Sequence, residues 1–198
     1  MYGTMPDIGG RLHRFNPEHH ARLDDAQRFE WQDPVKLIDW LRLDGDETVV
    51  DVGAGTGFMA LPLAEQLPRG FVVGVDISSK MRDILTGKVA ERGMSNVTGL
   101  VTDGLTIDLP DAAADVVLLA NVWHELSDSD ALIKEFRRLV KPGGRLVVVD
   151  WKAEETPVGP PIAERIPEAA AIAALAAVGF KVVVQPELYP YHYTAVFT

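Results

Sequence analysis

The sequence predicts an α/β domain in which helices cover both faces of a seven-stranded, mostly parallel sheet. Short Val-rich segments alternate with helix-like segments between residues 48 and 150, which is the pattern of βαβ units. A loop with glycines at positions 53, 55 and 57 joins the first predicted strand to the helix after it. Only a hairpin-length turn separates the last two predicted strands, so the sheet should end on an antiparallel strand.

The individual elements follow from apolar periodicity and from residues that begin or end helices. Asp33 and Pro34 favour a helix start, because Asp is a good N-cap and Pro fits the first helical position. Pro62 predicts a slight kink in the helix after the glycine loop. Further helices are predicted at 57–67, 79–92, 129–139 with Ser127 and Ser129 as its cap, and 167–178. Strands are predicted at 48–52, 71–75, 97–101, 115–120, 145–150, 180–185 and 192–197.

The first 33 residues are predicted to form an N-terminal segment ahead of a single domain at 34–198. Residues 1–16 have no pattern and are interpreted as a leader that is either flexible or ordered by a ligand. Residues 17–29 are polar and helix-like, which fits either a solvated helix or a lid over a binding site. His13, His19 and His20 lack the spacing of ligands on one helix face, so no metal site is predicted.

Composition excludes several classes of protein. The formal net charge of −10 and the absence of a Lys/Arg run argue against a nucleic-acid partner, whose binding needs a basic stripe. The chain has no cysteine, which excludes disulfides and thiolate sites. No apolar run approaches the roughly 20 residues of a membrane span. We therefore expect a cytoplasmic protein without a membrane span.

The glycine loop differs from a dinucleotide fingerprint in its spacing. In Asp51-Val-Gly-Ala-Gly-Thr-Gly57 the third glycine comes four residues after the first, whereas G-x-G-x-x-G would place it at Phe58. Asp51 precedes the first glycine by two residues and could accept a hydrogen bond from an ammonium group. This arrangement suits an amino-acid moiety better than a pyrophosphate.

The stretch from Asp51 to Gly57 resembles motif I of the class I S-adenosylmethionine-dependent methyltransferases. The turn Lys141-Pro-Gly-Gly144 and the antiparallel ending are also similar to that family, which implies a Rossmann-like sheet and S-adenosylmethionine as the cofactor. In finer detail, D-x-x-R-x-x-W-x-x-P from Asp25 to Pro34, with the later Trp-His-Glu, Asp-Trp-Lys and Gly-Pro-Pro, looks like a small prokaryotic subgroup near the ubiquinone/menaquinone-type methyltransferases.

The resemblance implies a set of cofactor contacts at the carboxyl ends of the strands. Asp76 could accept from both ribose hydroxyls, and Asp103 from the adenine amino group while a following N–H donates to the ring. A helix-capping acid and a plain turn are the respective alternatives. Asn121 should offer backbone contacts to the methionine part. The predicted cofactor residues are Asp51, Gly53, Ala54, Gly55, Gly57, Asp76, Ile77, Met81, Asp103, Gly104 and Asn121.

The acceptor side is predicted from the residues after strands 4 and 5. His124 is a candidate general base, since its ordinary pKa near 6.5 suits proton removal at neutral pH, with a pocket or structural role as the alternative. Trp31, Trp123 and Trp151 are candidate substrate walls, with ordinary packing as the alternative. The pocket should lie between residues 17–33 and the loop at 151–166.

The resemblance implies methyl transfer from S-adenosylmethionine to a small-molecule acceptor, giving S-adenosylhomocysteine. The segment after strand 4 lacks the N-P-P-Y signature of enzymes that methylate exocyclic amines of DNA or protein amides. Two alternatives stay open: a non-catalytic S-adenosylmethionine-binding module, and an NAD(P)-dependent oxidoreductase that the glycine spacing disfavours. The acceptor and the oligomeric state are not determined by the sequence.

Overall fold

The computed structural model describes residues 17–126 and 129–198. The predicted leader at 1–16 and the predicted cap at Ser127 lie outside these residues. Helices α1 to α6 span Arg28–Gln32, Pro34–Leu41, Ala60–Gln66, Ser79–Glu91, Ser129–Leu139 and Glu168–Ala177. Strands β1 to β7 span Thr48–Val52, Phe71–Asp76, Val97–Val101, Ala114–Ala120, Val140–Trp151, Val182–Val184 and His192–Phe197. Short 3-10 helices cover Pro17–Asp24, Trp123–Glu125 and Ile162–Glu164.

The seven strands form one sheet in the order β3-β2-β1-β4-β5-β7-β6. Strand β7 is antiparallel to both of its neighbours, and the other pairs are parallel. The predicted seven-stranded, Rossmann-like sheet with an antiparallel last strand is therefore confirmed. The chain order reverses between β1 and β4, and ligands of such sheets bind at the carboxyl ends of the strands beside this point.

Both faces of the sheet are buried under helices. Alternate residues of a strand point to opposite faces, so Val50 and Val117 lie in one core cluster while Val49 and Val116 lie in the other. The first cluster includes residues of α5 and α6, and the second includes residues of α2 and α3. This burial on both faces explains why the strands read as continuous apolar runs.

Two local elements differ from the sequence-based expectation. The N-terminal segment is a 3-10 helix at Pro17–Asp24 followed, after a turn, by the separate helix α1, where one helix-like stretch to Phe29 was expected. Helix α3 begins at Ala60 and not at residue 57, because Gly57 has a φ of 94° that a right-handed helix does not allow. Pro62 consequently lies in the first turn of α3, where a missing N–H has little effect.

Two strand boundaries also differ. Strand β5 begins at Val140 and so includes the Lys141–Gly144 turn, and β6 is shorter than predicted. In the part of the chain that the structure describes, no helix combines the length and apolarity that crossing a bilayer requires.

Candidate functional site

A cavity of about 820 Å³ opens at the carboxyl ends of the central strands. It lies at the reversal of strand order, where the topology favours a ligand site. Twelve of the predicted site residues line it: Asp51, Gly53, Ala54, Gly55, Asp76, Ile77, Met81, Gly104, Asn121, His124, Trp31 and Trp151. Side chains from the N-terminal segment and the Gly159–Pro161 loop complete the wall.

Two glycines of the loop after β1 lie on the cavity wall. At both positions the backbone passes so close to a neighbouring side chain that a Cβ atom would be crowded. Gly53 has a φ of 70°, and a Cβ there would come within 2.2 Å of Val122 Cγ2. Gly55 has a φ of 54°, and a Cβ there would lie 3.1 Å from Leu23 Cδ1. The N–H of Gly53 donates to the Val75 carbonyl at 2.7 Å, which fixes the turn against β2.

Asp51, the second-last residue of β1, is a buried carboxylate with spare acceptor capacity. Its Oδ2 atom has no hydrogen-bond partner among the described residues. Burial raises the pKa of Asp51 to about 7, although the positive charge of Arg28 acts in the opposite direction. A buried, unpaired carboxylate oxygen on a cavity wall fits a cationic hydrogen-bond donor such as an ammonium group.

Asp76 ends β2 and holds the glycine loop as well as facing the cavity. Its Oδ2 accepts from the Gly55 N–H at 2.9 Å, and its Oδ1 accepts from the Ser78 N–H at 2.8 Å. Burial raises the pKa of this carboxyl above its ordinary value, against those hydrogen bonds. Each oxygen can accept a further hydrogen bond, so the carboxylate can also accept hydrogen bonds from the two hydroxyls of a ribose.

His124 lies on the cavity wall as half of a buried His–Asp pair. Its Nδ1 is 2.7 Å from Asp150 Oδ1, and its backbone N–H donates to Asp150 Oδ2 at 2.9 Å. Burial lowers the pKa of His124, but the hydrogen bond and charge of Asp150, together with the charges of Glu125 and Glu164, raise it by more, so the net pKa is raised. With Nδ1 committed to the Asp150 carboxylate, Nε2 is the nitrogen left to exchange a proton with a ligand, and it lies 3.9 Å from Glu125 Oε1.

The N-terminal segment covers the glycine loop through a shared carboxylate. Asp24 Oδ1 accepts from the Thr56 hydroxyl at 2.7 Å and from Lys88 Nζ, also at 2.7 Å. A second ion pair joins Glu18 to Lys80 of α4 at 2.8 Å. The segment therefore packs on the glycine loop and on α4, and its Leu23 lines the cavity.

A family model described as "Methyltransferase domain" matches residues 50–148, which is half of the chain. The chain belongs to the S-adenosylmethionine-dependent methyltransferases. A structure titled as an S-adenosylmethionine-dependent methyltransferase from Aquifex aeolicus superposes with a TM-score of 0.89 at 32% identity and covers 93% of this chain and 98% of that one. The prediction of the family is thereby confirmed.

Two further proteins are similar to this chain over part of their length. A demethylmenaquinone methyltransferase from Thermus thermophilus is 37% identical over 116 residues, which is 59% of this chain and 52% of that protein. The chain thus spans about half the length of that curated relative. A structure titled as the [4+2]-cyclase SpnF superposes with a TM-score of 0.68 at 29% identity and covers 77% of this chain and 60% of that one.

Three predicted site residues of the methyltransferase do not line the cavity. A Cβ on Gly57 would lie 2.6 Å from Leu85 Cδ1, so Gly57 serves the packing of the loop on α4. The Trp123 side chain is buried in the core and is not a substrate wall, because the 3-10 turn after β4 points it into the protein. Asp103 is exposed and accepts from the N–H groups of Leu105 and Thr106, each at 2.8 Å.

The Asp103 carboxylate therefore caps its own loop, which is the turn alternative that the sequence left open. Its neighbours Thr102 and Gly104 line the cavity instead. Contact of this loop with adenine stays a prediction for its backbone, not for the Asp103 side chain.

The other two tryptophans predicted as substrate walls, Trp31 and Trp151, meet in an aromatic cluster beside the cavity. The ring centroids of Trp31 and Trp151 are 5.2 Å apart, and His192 lies 4.1 Å from Trp151 and stacks on Trp31 at 5.6 Å. Both rings of this Trp pair reach the cavity wall. Burial lowers the pKa of His192 to about 3, so the imidazole is neutral.

Sequence reasoning did not identify Arg28, Gln32 and Asp150 as site residues. Arg28 and Gln32 are both buried and four residues apart on α1, so they share one helix face. The i, i+3, i+4 spacing of Arg28, Trp31 and Gln32 was the available signal. Asp150 was recognisable as an acid at the carboxyl end of β5.

Proposed function

We propose that this methyltransferase binds S-adenosylmethionine in the cavity and methylates a small-molecule acceptor, releasing S-adenosylhomocysteine. The observation that carries the proposal is the buried Asp51 carboxylate with an unpartnered oxygen beside the glycine loop. An ammonium group would satisfy that oxygen and compensate its charge. A pyrophosphate would meet a carboxylate there, which disfavours the NAD(P)-dependent alternative.

The remaining cofactor contacts follow from the groups on the wall. Asp76 would receive the ribose hydroxyls, and the loop at Thr102 and Gly104 would border the adenine. Asn121 has a φ of 61° and directs its side chain to Gln32, where its Nδ2 donates at 2.8 Å, so its backbone would border the methionine part. Ile77 and Met81 add apolar wall beside the nucleoside.

S-adenosylmethionine supplies an electrophilic methyl group and its own leaving group. The chain's part is to align the acceptor, to exclude water and to take a proton where the acceptor must lose one. His124 is suited to the last task, because Asp150 holds Nδ1 and thereby keeps Nε2 as the basic nitrogen. The imidazole must be neutral to act as a base.

The acceptor pocket would lie between the Trp31 and Trp151 rings and the Gly159–Pro161 loop. Arg165 fixes that loop by donating to the carbonyls of Pro160, Lys152 and Glu154 at 2.8 to 3.0 Å. The predominantly apolar wall and the net charge of −10 support a small organic acceptor over a nucleic acid. The Thermus relative, named for a quinone-type acceptor, supports the same class.

A second candidate is a protein that binds S-adenosylmethionine without transferring the methyl group. The likeness to the [4+2]-cyclase SpnF supports keeping it, because the same fold can host a different reaction. Shared fold alone does not specify chemistry.

Isothermal titration with S-adenosylmethionine, S-adenosylhomocysteine and NAD tests the cofactor. Binding of the first two without NAD binding is the expected result, and NAD binding alone would contradict the proposal. Transfer of a labelled methyl group to a panel of phenols, amines, thiols and quinols then separates the two candidates. Tight cofactor binding with no transfer to any member favours the non-methylating protein.

A further inference from the structure

Two glutamates on the cavity wall have no part in the proposed cofactor contacts. Glu125 lies in the 3-10 helix after β4, and Glu164 lies in the 3-10 helix after the Gly159–Pro161 loop. Both line the cavity. The cofactor contacts proposed above use Asp51 and Asp76 as carboxylate acceptors and neither of these glutamates. The acceptor side of the cavity therefore carries negative charge that the cofactor leaves unused.

Both glutamates lie within electrostatic reach of the His124 imidazole. Glu125 Oε1 is 3.9 Å from His124 Nε2. A third carboxylate, that of the buried Asp150, lies 2.7 Å from Nδ1 of the same ring. Three carboxylates thus act on the imidazole that takes the proton in the proposed reaction.

His124 Nε2 is a polar atom of a buried side chain whose hydrogen bond is left to a ligand. The side chain is only 8% exposed and lies on the cavity wall. Nδ1 is bonded to Asp150, whereas Nε2 makes no hydrogen bond to any residue that the structure describes. Buried polar groups of proteins are almost always hydrogen-bonded, so this nitrogen calls for an N–H or O–H donor inside the cavity.

The charge of Glu164 is not neutralised by the protein. Within the described part of the chain, Glu164 forms no ion pair. Arg165, the next residue, donates instead to backbone carbonyls of residues 152–160. Among the described residues of the cavity wall the only lysine or arginine is Arg28, which stacks on Phe58 beside the glycine loop. A cationic ligand would supply the missing counter-charge.

The wall around these carboxylates is otherwise apolar. The rings of Trp31 and Trp151 and the prolines of the Gly159–Pro161 loop line the same cavity. Carboxylates set in an aromatic and aliphatic wall suit an organic cation, in which an ammonium group is attached to hydrocarbon. An anionic acceptor such as a carboxylate would be repelled by Glu125 and Glu164.

We propose that the methyl acceptor is a small organic amine, which binds as an ammonium ion against Glu164 and Glu125 and gives up one proton to His124 Nε2. This inference rests on the proposed function, because it names the acceptor of the same reaction. Loss of the proton leaves a neutral amine with a lone pair. The lone pair forms the N–C bond to the methyl carbon as the C–S bond breaks, and the electrons of that bond stay on sulfur as a thioether. The methyl group ends on a methylammonium product and the proton on the His124 imidazolium, so the total charge is unchanged.

Calorimetry on the protein saturated with S-adenosylhomocysteine measures this charge preference without turnover. The probes are butylamine, benzylamine and 2-phenylethylamine, each compared with the alcohol of the same carbon skeleton. At about pH 7.5 the amines are cationic, since an alkylammonium loses its proton only near pH 10. At least one amine should bind about 10-fold more tightly than its alcohol, the value of a hydrogen bond to a charged group. If no amine binds more tightly than its alcohol, the inference is overturned.

Glu164→Gln removes the charge with little change in size. It should bring the amine and its alcohol to within about threefold of each other. Glu155→Gln is the matched control, because Glu155 is an exposed glutamate outside the cavity wall, and it should keep the full preference. Unchanged affinity of both variants for S-adenosylhomocysteine would show that the fold is kept. An undiminished amine preference in Glu164→Gln would overturn the role of this carboxylate.

Transfer of a labelled methyl group to the same amines, and to phenols, quinols and carboxylates, tests the acceptor class in turnover. For an amine acceptor, Glu164→Gln should raise KM about 10-fold and leave kcat within about threefold. Transfer to phenols or quinols with none to amines would overturn the inference and leave the proposed function intact. If the protein binds neither S-adenosylmethionine nor S-adenosylhomocysteine, the proposed function fails instead, so the two failures are distinguishable.

Discussion

His124 and Asp150 form a buried pair in which the carboxylate accepts from both the imidazole and the backbone of the same residue, at 2.7 and 2.9 Å. Asp150 Oδ1 also accepts from the Trp151 N–H at 2.7 Å. The carboxylate is thereby fixed from three directions. This pairing favours a general-base role for His124 over a purely structural one, since it orients the ring and leaves Nε2 to the cavity.

For an acceptor that loses a proton, His124→Ala should lower kcat by about 10²- to 10⁴-fold, the usual contribution of a general base. In the unsubstituted protein kcat should rise with pH through the raised pKa of His124, because only the neutral imidazole accepts a proton. The pH profile of kcat measures this rise directly. Unchanged turnover in His124→Ala would remove the residue as a base.

Asp150→Asn should move the rise of kcat with pH to a lower pH. The Asp150 charge and hydrogen bond raise the pKa of His124, and burial alone would lower it. The maximum of kcat should fall as well, since an amide can hold the wrong tautomer. If kcat rises at the same pH in Asp150→Asn as in the unsubstituted protein, Asp150 does not set the basicity of His124.

Cofactor affinity should increase with pH up to the pKa of Asp51. Burial raises that pKa to about 7, and only the ionised carboxylate can receive an ammonium group as a compensating charge. Below that pH, the affinity should fall by up to about tenfold per pH unit. Calorimetry at pH 5.5 to 8.5 measures it, and Asp51→Asn should bind weakly with little pH dependence. A pH-independent affinity in the unsubstituted protein would contradict the ammonium contact.

Asp76→Ala should weaken S-adenosylmethionine binding by about 10- to 100-fold, because it removes the acceptor for the ribose hydroxyls and for the Gly55 N–H. Asp103→Ala provides the comparison, since that carboxylate is exposed and turned to its own loop. It should have the smaller effect in the same titration. Equal affinity of Asp76→Ala and the unsubstituted protein would show that the ribose assignment is wrong.

Gly57→Ala should destabilise the fold more than Gly93→Ala. Both glycines have a positive φ, of 94° and 63°, so each alanine costs about 1–2 kcal/mol in backbone strain. Only at Gly57 does the new Cβ also meet Leu85 and Leu61, at 2.6 Å and 3.0 Å, which should add about 1–3 kcal/mol. Urea unfolding at constant m-value measures the difference. Equal free energies of unfolding would rule out the proposed packing role.

The free energy of unfolding should fall as the pH drops below 6.5, partly because of His192. Burial lowers the pKa of His192 to about 3 in the folded protein, whereas the unfolded chain takes up the proton near 6.5. The penalty between those two values is roughly 1.4 kcal/mol per pH unit. His192→Phe keeps an aromatic ring without a titrating group, so its unfolding free energy should depend less on pH. Parallel curves for the two proteins would contradict a neutral, buried His192.

Much of the fold and the cofactor side of the site could be predicted from local sequence. The Val-rich periods and the glycines at 53, 55 and 57 specify strands and a turn within a few residues of chain. Asp51 and Asp76 fall on the cavity wall because each lies at or next to the end of a parallel strand, and those ends meet at one edge. The start of α3 differs from the predicted one because the φ of Gly57 does not allow a helix there, and the bounds of β5 and β6 differ as well.

The sequence alone determined the fold class and the position of the cofactor loop, because both depend on the order of short patterns along the chain. The tertiary structure decided which side chains meet across it. His124 and Asp150 are adjacent because β4 and β5 run parallel with Ala120 opposite Val149, so a residue just beyond β4 meets one near the end of β5. Arg28 reaches the cavity with Asp51 because the N-terminal segment folds back over the glycine loop. Such contacts depend on strand register and packing, which no local pattern encodes.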